Sequence, residues 1–212
     1  MTIPENEQVV PRSRWLPVLW ALISLGLLAG IGLLTWSLLH PYSFHGVVLQ
    51  SPSRARNFTL TGQNGQPVSL TDFSGKVVLL YFGYTTCPDV CPTTLADLRT
   101  ARESLGALSE QVQVLMITVD PQRDTQAVLA DYMSHFDSSF LGLTGTPEQI
   151  AEVATYYGIY YEKAEGNPTL GYLMNHTATV MAVDKDGFLR VVFPFGTPAQ
   201  DIADDLNYLL KR

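Results

Sequence analysis

One stretch decides how this chain folds: Tyr81-Phe-Gly-Tyr-Thr-Thr-Cys87-Pro-Asp-Val-Cys91-Pro-Thr-Thr-Leu95. It contains both cysteines of the protein and overlaps an apolar, β-rich run over residues 77–82. Such a run is typical of a strand buried on both faces. The sequence over residues 93–108 favours a helix with one apolar face. Two close thiols between a strand and a helix can cycle between dithiol and disulfide, or they can hold a soft metal ion.

The spacing of the cysteines argues against a purely structural disulfide. Only three residues separate Cys87 from Cys91, and closing so short a loop restricts the unfolded chain weakly. The Cys-x-x-x-Cys spacing also departs from the Cys-x-x-Cys of thioredoxin-type redox sites, without forbidding a disulfide on oxidation. The N-terminus of the following helix should favour thiolate, which is both the nucleophile and the metal ligand. The pair alone therefore leaves redox chemistry and metal binding open.

The 212 residues allow one domain with an appendage. We predict a cytoplasmic segment over residues 1–14, a transmembrane helix over 15–39, a linker over 40–56 and a folded domain over 57–212. Residues 15–39 carry no charge. As a helix they would cover about 37 Å, enough to cross a hydrocarbon core of about 30 Å. The run is longer than the apolar part of a signal peptide, and no Ala-x-Ala cleavage site follows it. We therefore expect a retained single span.

The distribution of charge predicts the orientation of this span. Arg12 and Arg14 directly precede it, whereas the next cations, Arg54 and Arg56, lie well beyond it. The positive-inside rule then places the C-terminal domain in the periplasm, with the span in a bacterial inner membrane. The first 39 residues carry two Arg and two Glu, so the whole net charge of −7 lies beyond them. An acidic domain is a poor match for a nucleic-acid partner.

The predicted elements of the folded domain describe an α/β sheet with mixed strand directions. They are strands over 57–61, 66–70, 77–82, 112–119, 140–143, 177–184 and 188–193, helices over 93–108, 125–136, 147–157 and 199–210, and an irregular segment over 158–171. We expect Thr125 to cap its helix and Val128 to face inward. A cysteine loop between the first central strand and its helix makes this order thioredoxin-like.

Of the four histidines, only His176 is placed near the cysteines by this topology. It directly precedes the strand over 177–184, and in a thioredoxin-like sheet the start of that strand lies beside the cysteine loop. His40 lies at the predicted membrane boundary and His45 in the linker. His135 lies near the end of a helix, where the helix dipole is a sufficient explanation.

At this point three ordered motifs resemble the Sco/SenC family. They are the opening stretch, Ile117-Thr-Val-Asp-Pro-Gln-Arg-Asp-Thr125, and Asn175-His-Thr-Ala-Thr179 followed by Asp186-Gly187. The resemblance covers about residues 55–212. It implies a membrane-tethered, thioredoxin-like copper protein that helps to assemble the binuclear copper site of cytochrome c oxidase. It also implies that Cys87, Cys91 and His176 are the copper ligands.

The chemistry of these three side chains agrees with copper. Two thiolates and an imidazole suit Cu(I), and they can take Cu(II) when a further ligand joins. Zinc is the chemical rival, because it accepts the same ligands.

Other polar and soft residues of the motifs have two interpretations each. Asp120 and Asp89 are candidates for orienting a ligand or contacting the partner. For Asp120, Arg123 and Asp124 the alternative is a network that stabilises the turn and the start of the next helix. Met174, two residues before His176, could approach copper, but packing is the favoured explanation.

Two functions need the same thiols. The first is delivery of copper to the copper-site subunit of cytochrome c oxidase, after loading from a copper donor protein. The alternative is a thiol-disulfide reductase that keeps the copper-binding cysteines of the oxidase reduced. A peroxidase-like or redox-sensing role is less favoured, because the chain has no further cysteine. We therefore expect a metallochaperone rather than an enzyme.

Overall fold

A computed structural model describes residues 15–39, 42–166 and 171–211. The chain divides into two compact units between Ser43 and Phe44. The first unit contains helix α1, Leu16–Leu39, where a transmembrane helix is predicted. No helix among the described residues is long and apolar enough to cross a membrane. A helix over the predicted residues is present, whereas the segment 1–14 and His40 lie outside the described residues.

The second unit is an α/β domain, as predicted. Its strands are β1 (Val47–Val48), β2 (Thr59–Gly62), β3 (Pro67–Ser69), β4 (Val77–Gly83), β5 (Val112–Thr118), β6 (Leu141–Thr144), β7 (Tyr161–Ala164), β8 (Leu173–His176), β9 (Thr179–Val183) and β10 (Leu189–Pro194). Its helices are α2 (Val90–Ser104), α3 (Gln126–Ser134), α4 (Pro147–Tyr156) and α5 (Ala199–Leu210), with short 3₁₀ helices at Leu70–Phe73 and Gly106–Gln111.

The main sheet is centred on β4 and β5. Its order is β1-β10-β9-β4-β5-β6-β2-β3. Strand β4 pairs with β5 in parallel and with β9 in antiparallel fashion. Every residue of β4 and β5 is buried, which explains why both strands are apolar with little alternation. The predicted central strands and their mixed pairing are confirmed.

Local sequence signals fix the starts of two helices. The Thr125 side chain accepts a hydrogen bond from the Val128 N–H at the start of α3. At the start of α4, Thr146 forms a capping box with Gln149, and Pro147 is the first helical residue. The inward orientation predicted for Val128 is wrong, because its side chain is 41% exposed. The short helix α3 buries a narrow face that excludes this position.

Three strands, β1, β7 and β8, form in segments for which no strand is predicted. Residues 47–48, assigned to the linker, form β1 and pair with β10 at the edge of the main sheet. A strand of two residues is too short to show any alternation of polar and apolar side chains. Within the segment 158–171, predicted to be irregular, β7 pairs with β8 in a separate two-stranded sheet. This small sheet, called the β7–β8 hairpin below, ends with His176.

Candidate metal centre

The two cysteines lie at the corner where β4 turns into α2. Cys87 lies in the connecting loop, and its N–H donates to the Tyr84 carbonyl at 3.3 Å. Cys91 lies in the first turn of α2, and its N–H donates to the Cys87 Sγ at 3.4 Å. Both are free thiols. Cys91 is fully buried and Cys87 is half-buried, so Cys87 is the sulfur that a partner can reach.

Gly83 allows the sulfur of Cys91 to pack tightly against β4. A Cβ at position 83 would lie 3.1 Å from the Cys91 Sγ and 2.8 Å from a ring carbon of Tyr81. The latter distance is shorter than van der Waals contact allows. A glycine is therefore needed where the strand, the tyrosine ring and the thiol converge.

His176, the last residue of β8, lies next to the buried cysteine. Its Nε2 lies 3.6 Å from the Cys91 Sγ, and its Nδ1 lies 3.2 Å from the Thr177 carbonyl oxygen. Because a carbonyl can only accept, Nδ1 carries the proton and the lone pair of Nε2 faces the sulfur. The imidazole stands edge-on to the rings of Tyr84 at 5.8 Å and Tyr81 at 6.4 Å, measured between ring centroids.

The two thiols differ in their protonation. Hydrogen bonding from the Cys91 thiol lowers the pKa of Cys87 to about 3; burial opposes this shift, and His176 supports it. The same contact raises the pKa of Cys91, and burial raises it further. The outer sulfur therefore carries the negative charge and the inner sulfur keeps its proton.

The distance between Cys91 and His176 is compatible with two ligands of one ion. Metal–sulfur and metal–nitrogen bonds of about 2.3 and about 2.0 Å at a tetrahedral angle separate the two atoms by roughly 3.5 Å. Nevertheless, no group of three or more His, Cys, Asp or Glu side chains in the described parts of the chain is arranged to hold a metal ion. Cys87, Cys91 and His176 are neighbours in the structure.

Asp120 holds the β7–β8 hairpin rather than the cysteine loop. Its buried carboxylate accepts a hydrogen bond from the Tyr172 hydroxyl at 2.7 Å and forms an ion pair with Arg123. Arg123 in turn donates to the Tyr172 carbonyl at 2.9 Å and lies 3.8 Å from the centre of its ring. Because Tyr172 directly precedes β8, this network positions the strand that ends at His176.

Asp124 belongs to the turn network expected as its alternative role. Its carboxylate accepts hydrogen bonds from the N–H and hydroxyl of Thr85 at 3.1 and 2.6 Å, and from the Thr118 hydroxyl at 2.5 Å. Thr85 opens the cysteine loop and Thr118 ends β5. Asp124 therefore fixes the loop to the neighbouring strand. Burial raises the pKa of its carboxyl group, although these hydrogen bonds act to lower it.

The other candidates lie as follows. Asp89 is exposed at the start of α2, where its carboxylate accepts from the Thr93 hydroxyl at 3.4 Å. Met174 is buried in the core, in agreement with packing. His135 bonds the Asp131 carbonyl at 2.8 Å through Nδ1, as expected near a helix end. His45 pairs with the carboxylate of Asp205 at 3.1 Å.

Sequence reasoning missed Tyr81 and Tyr84, which enclose the thiols and the imidazole. Both are buried, and burial raises the pKa of each hydroxyl, with the neighbouring cysteines adding to the effect. A usable signal was present, because a tyrosine within an otherwise apolar buried strand brings a hydroxyl that needs a partner.

Comparison with known proteins assigns the chain to a family. The SCO1/SenC family model matches residues 49–211. The mitochondrial SCO2 homolog of Bos taurus is 38% identical over 153 residues, which are 71% of this chain and 58% of the bovine protein. The chain thus spans less than two thirds of that relative.

Solved structures agree with the family match. Bradyrhizobium japonicum ScoI with copper bound is 38% identical with a TM-score of 0.68, covering 74% of this chain and 100% of that chain. The apo Sco1 protein from Thermus thermophilus is 42% identical with a TM-score of 0.71, covering 80% of this chain and 98% of that chain. The thioredoxin-like α/β fold expected from the motifs is therefore confirmed, and the chain belongs to the SCO1/SenC family.

Proposed function

We propose that this chain binds copper through Cys87, Cys91 and His176 and delivers it to the binuclear copper site of cytochrome c oxidase. The observation that carries the proposal is the approach of the Cys91 Sγ and the His176 Nε2 to 3.6 Å, between residues 85 positions apart. The copper-bound state of the Bradyrhizobium relative supports it. Copper is the cargo here, so the site must release it as well as hold it.

Exposure of Cys87 supports release by ligand exchange. Two thiolates and an imidazole suit Cu(I), and Cys91 and His176 already face each other. The half-buried Cys87 sulfur also interacts with the Cys91 thiol and with His176, so closing the three side chains around one ion requires only an adjustment of rotamers. A cysteine of the partner replaces Cys87 first, because Cys87 is the more accessible of the two sulfurs.

The proposed partners are a copper donor protein and the copper-site subunit of the oxidase. The proposed location is the periplasmic side of a bacterial inner membrane. Protease treatment of spheroplasts tests the location. Digestion of the domain before lysis agrees with the proposal, and digestion only after lysis contradicts it.

A thiol-disulfide reductase is the second candidate, and the unequal protonation of the two sulfurs favours it. The Cys87 thiolate would attack a disulfide of the oxidase subunit, forming a mixed disulfide and releasing one partner thiolate. Cys91 would pass its proton to that thiolate and attack the Cys87 sulfur. The products are a Cys87–Cys91 disulfide and a reduced partner.

Copper binding by His176→Ala, with His135→Ala as the control, tests the ligand assignment. We expect the parent and His135→Ala to bind one copper with equal affinity, because His135 is exposed at the end of α3 and bonds a carbonyl of its own helix. His176→Ala should bind at least about 100-fold more weakly, since loss of a ligand exceeds the effect of losing a ligand's supporting contact. Equal binding by His176→Ala would show that the assignment is wrong. If His176→Ala lost copper yet still supported oxidase assembly, the reductase function would be favoured.

A further inference from the structure

The hydroxyl of Tyr81 is an unusual feature of the core. Tyr81 lies in β4, between β5 and β9, and is fully buried. Its hydroxyl has no hydrogen-bond partner of acceptable geometry within the part of the chain that the structure describes. A buried polar group without a partner destabilises the fold, so its presence needs an explanation. A phenylalanine would fill the same space without this cost.

The position of the ring suggests what the hydroxyl serves. The Tyr81 ring and the Cys91 Sγ both pack against Gly83, within 2.8 and 3.1 Å of the point where a Cβ would stand. The ring is also edge-on to His176. Burial is the main cause of the raised pKa of Tyr81; the nearby Cys91 thiol adds to this effect and the Thr94 hydroxyl opposes it. The Thr94 hydroxyl already donates to the Val90 carbonyl at 2.8 Å.

Metal binding makes the Cys91 sulfur a stronger hydrogen-bond acceptor for the Tyr81 hydroxyl. A neutral thiol is a weak acceptor. Once Cys91 is a metal ligand, its sulfur has lost the proton and carries negative charge, and hydrogen bonds to charged acceptors are the stronger ones. The Tyr81 hydroxyl can then donate to the Cys91 sulfur, because it has no other hydrogen-bond partner among the described residues.

We infer that Tyr81 is a positioning residue whose hydroxyl donates a hydrogen bond to the metal-bound sulfur of Cys91. The inference rests on the proposed function, because it assigns a role within the same site. A hydrogen bond to a ligating sulfur withdraws electron density from it, and such bonds tune both affinity and reduction potential at copper–thiolate sites. The Tyr81 hydroxyl thus destabilises the protein without metal and stabilises the copper-loaded protein.

The test uses the full-length chain as the parent, Tyr81→Phe, and Tyr157→Phe as the control. Tyr157 is likewise a buried tyrosine, but its hydroxyl donates to the Arg56 carbonyl at 2.7 Å, and burial raises its pKa without a contribution from the cysteines. Cu(I) affinity is measured by competition with a chromogenic chelator. The sulfur-to-Cu(II) charge-transfer band is recorded on loading with Cu(II), and thermal unfolding of the metal-free proteins is followed in parallel.

We expect Tyr81→Phe to bind Cu(I) on the order of 10-fold more weakly. Its charge-transfer band should move to lower energy, because the sulfur donates more strongly without the hydrogen bond. Its metal-free form should melt at the parent temperature or above, since an unpartnered hydroxyl is removed. Tyr157→Phe should keep the affinity and band of the parent.

Three outcomes would overturn the inference. The first is parental affinity and band in Tyr81→Phe, while the parent binds copper; the proposed function then survives. The second is a loss of affinity together with a lower melting temperature of the metal-free form, which assigns Tyr81 a structural role. The third is a parent chain that binds no copper, which overturns the proposed function as well.

Discussion

The two sides of the candidate site rest on very different supports. Cys87 and Cys91 lie where β4 turns into α2, and β4 is buried along its whole length and paired on both sides. His176 ends β8 in the β7–β8 hairpin, whose other strand exposes Glu162 and Lys163. The core therefore fixes the thiols, whereas a small separate sheet places the imidazole. A site that must release its cargo benefits from one ligand on a less constrained element.

Amide hydrogen exchange should show this difference most strongly. We expect the amides of β4 and β5 to exchange only through global unfolding, because these strands are fully buried. The amides of the β7–β8 hairpin should open locally and exchange on the order of 1000-fold faster. The measurement is exchange followed by NMR or by mass spectrometry of peptides. Equal protection of the hairpin and of β4 would contradict the comparison.

Alkylation should separate Cys87 from Cys91. With its pKa lowered to about 3, Cys87 stays ionised above that pH, so its rate with iodoacetamide should be flat from about pH 5 to about pH 8. An unshifted thiol with a pKa of about 8.5 would instead react roughly tenfold faster per pH unit over this range. Cys91, buried and with a raised pKa, should react on the order of 100-fold more slowly than Cys87. Peptide mapping of the alkylated chain measures both rates.

The Cys91→Ala variant provides the control for that experiment. It removes the thiol whose hydrogen bond lowers the pKa of Cys87 most, so the rate of Cys87 should regain some dependence on pH. A rate of Cys87 that rises tenfold per pH unit in the parent would show that Cys87 is not the ionised sulfur.

Tyr172→Phe should loosen the β7–β8 hairpin and leave the cysteine side of the site unchanged. The hydroxyl bonds the buried carboxylate of Asp120 at 2.7 Å, and loss of a bond to a charged group costs about 1.5–3 kcal/mol. Because Tyr172 directly precedes β8, we expect Cu(I) affinity to fall by up to about 10-fold, with unchanged alkylation of Cys87. Tyr160→Phe is the control, since that side chain is 62% exposed. Equal effects of the two substitutions would exclude a specific role for the Asp120 network.

His45→Gln should have the smallest effect and none on copper binding. Hydrogen bonding to Asp205, with further attraction from Asp201, raises the pKa of His45 above 6.5. A raised pKa in the folded state stabilises the fold fully below about pH 6.5 and ceases to do so as the pH rises through the folded value. His45→Gln should therefore melt a few degrees below the parent in mild acid, and the gap should narrow in mild base. A gap that widens with pH would contradict this sign.

The sequence predicted the core side of the site well and the hairpin side poorly. Continuous apolar runs in β4 and β5, and the threonine caps of α3 and α4, are local signals that can be recognised without a structure. The motifs also singled out Cys87, Cys91 and His176. Strand β7, with the sequence Tyr-Glu-Lys-Ala, shows no clear alternation, because little of it is buried.

The polar contacts were the least predictable part of the site. Asp120 was singled out as a candidate for orienting a ligand, but the sequence does not name its partners Tyr172 and Arg123, which only the tertiary structure brings together. Tyr81 was overlooked because periodicity counts a tyrosine as one more buried residue. Contacts between residues distant in sequence leave no periodic pattern, so reasoning from the sequence recovers the elements before it recovers their side-chain networks.

X-ray absorption of the copper-loaded chain tests the central claim most directly, because it counts the atoms bound to the metal. With Cu(I) bound, we predict two sulfur scatterers and one imidazole nitrogen in the parent. The nitrogen should disappear in His176→Ala and remain in His135→Ala. Two sulfurs with no imidazole in the parent would show that His176 is not a ligand. A shell of nitrogen and oxygen alone would contradict binding at the cysteine pair altogether.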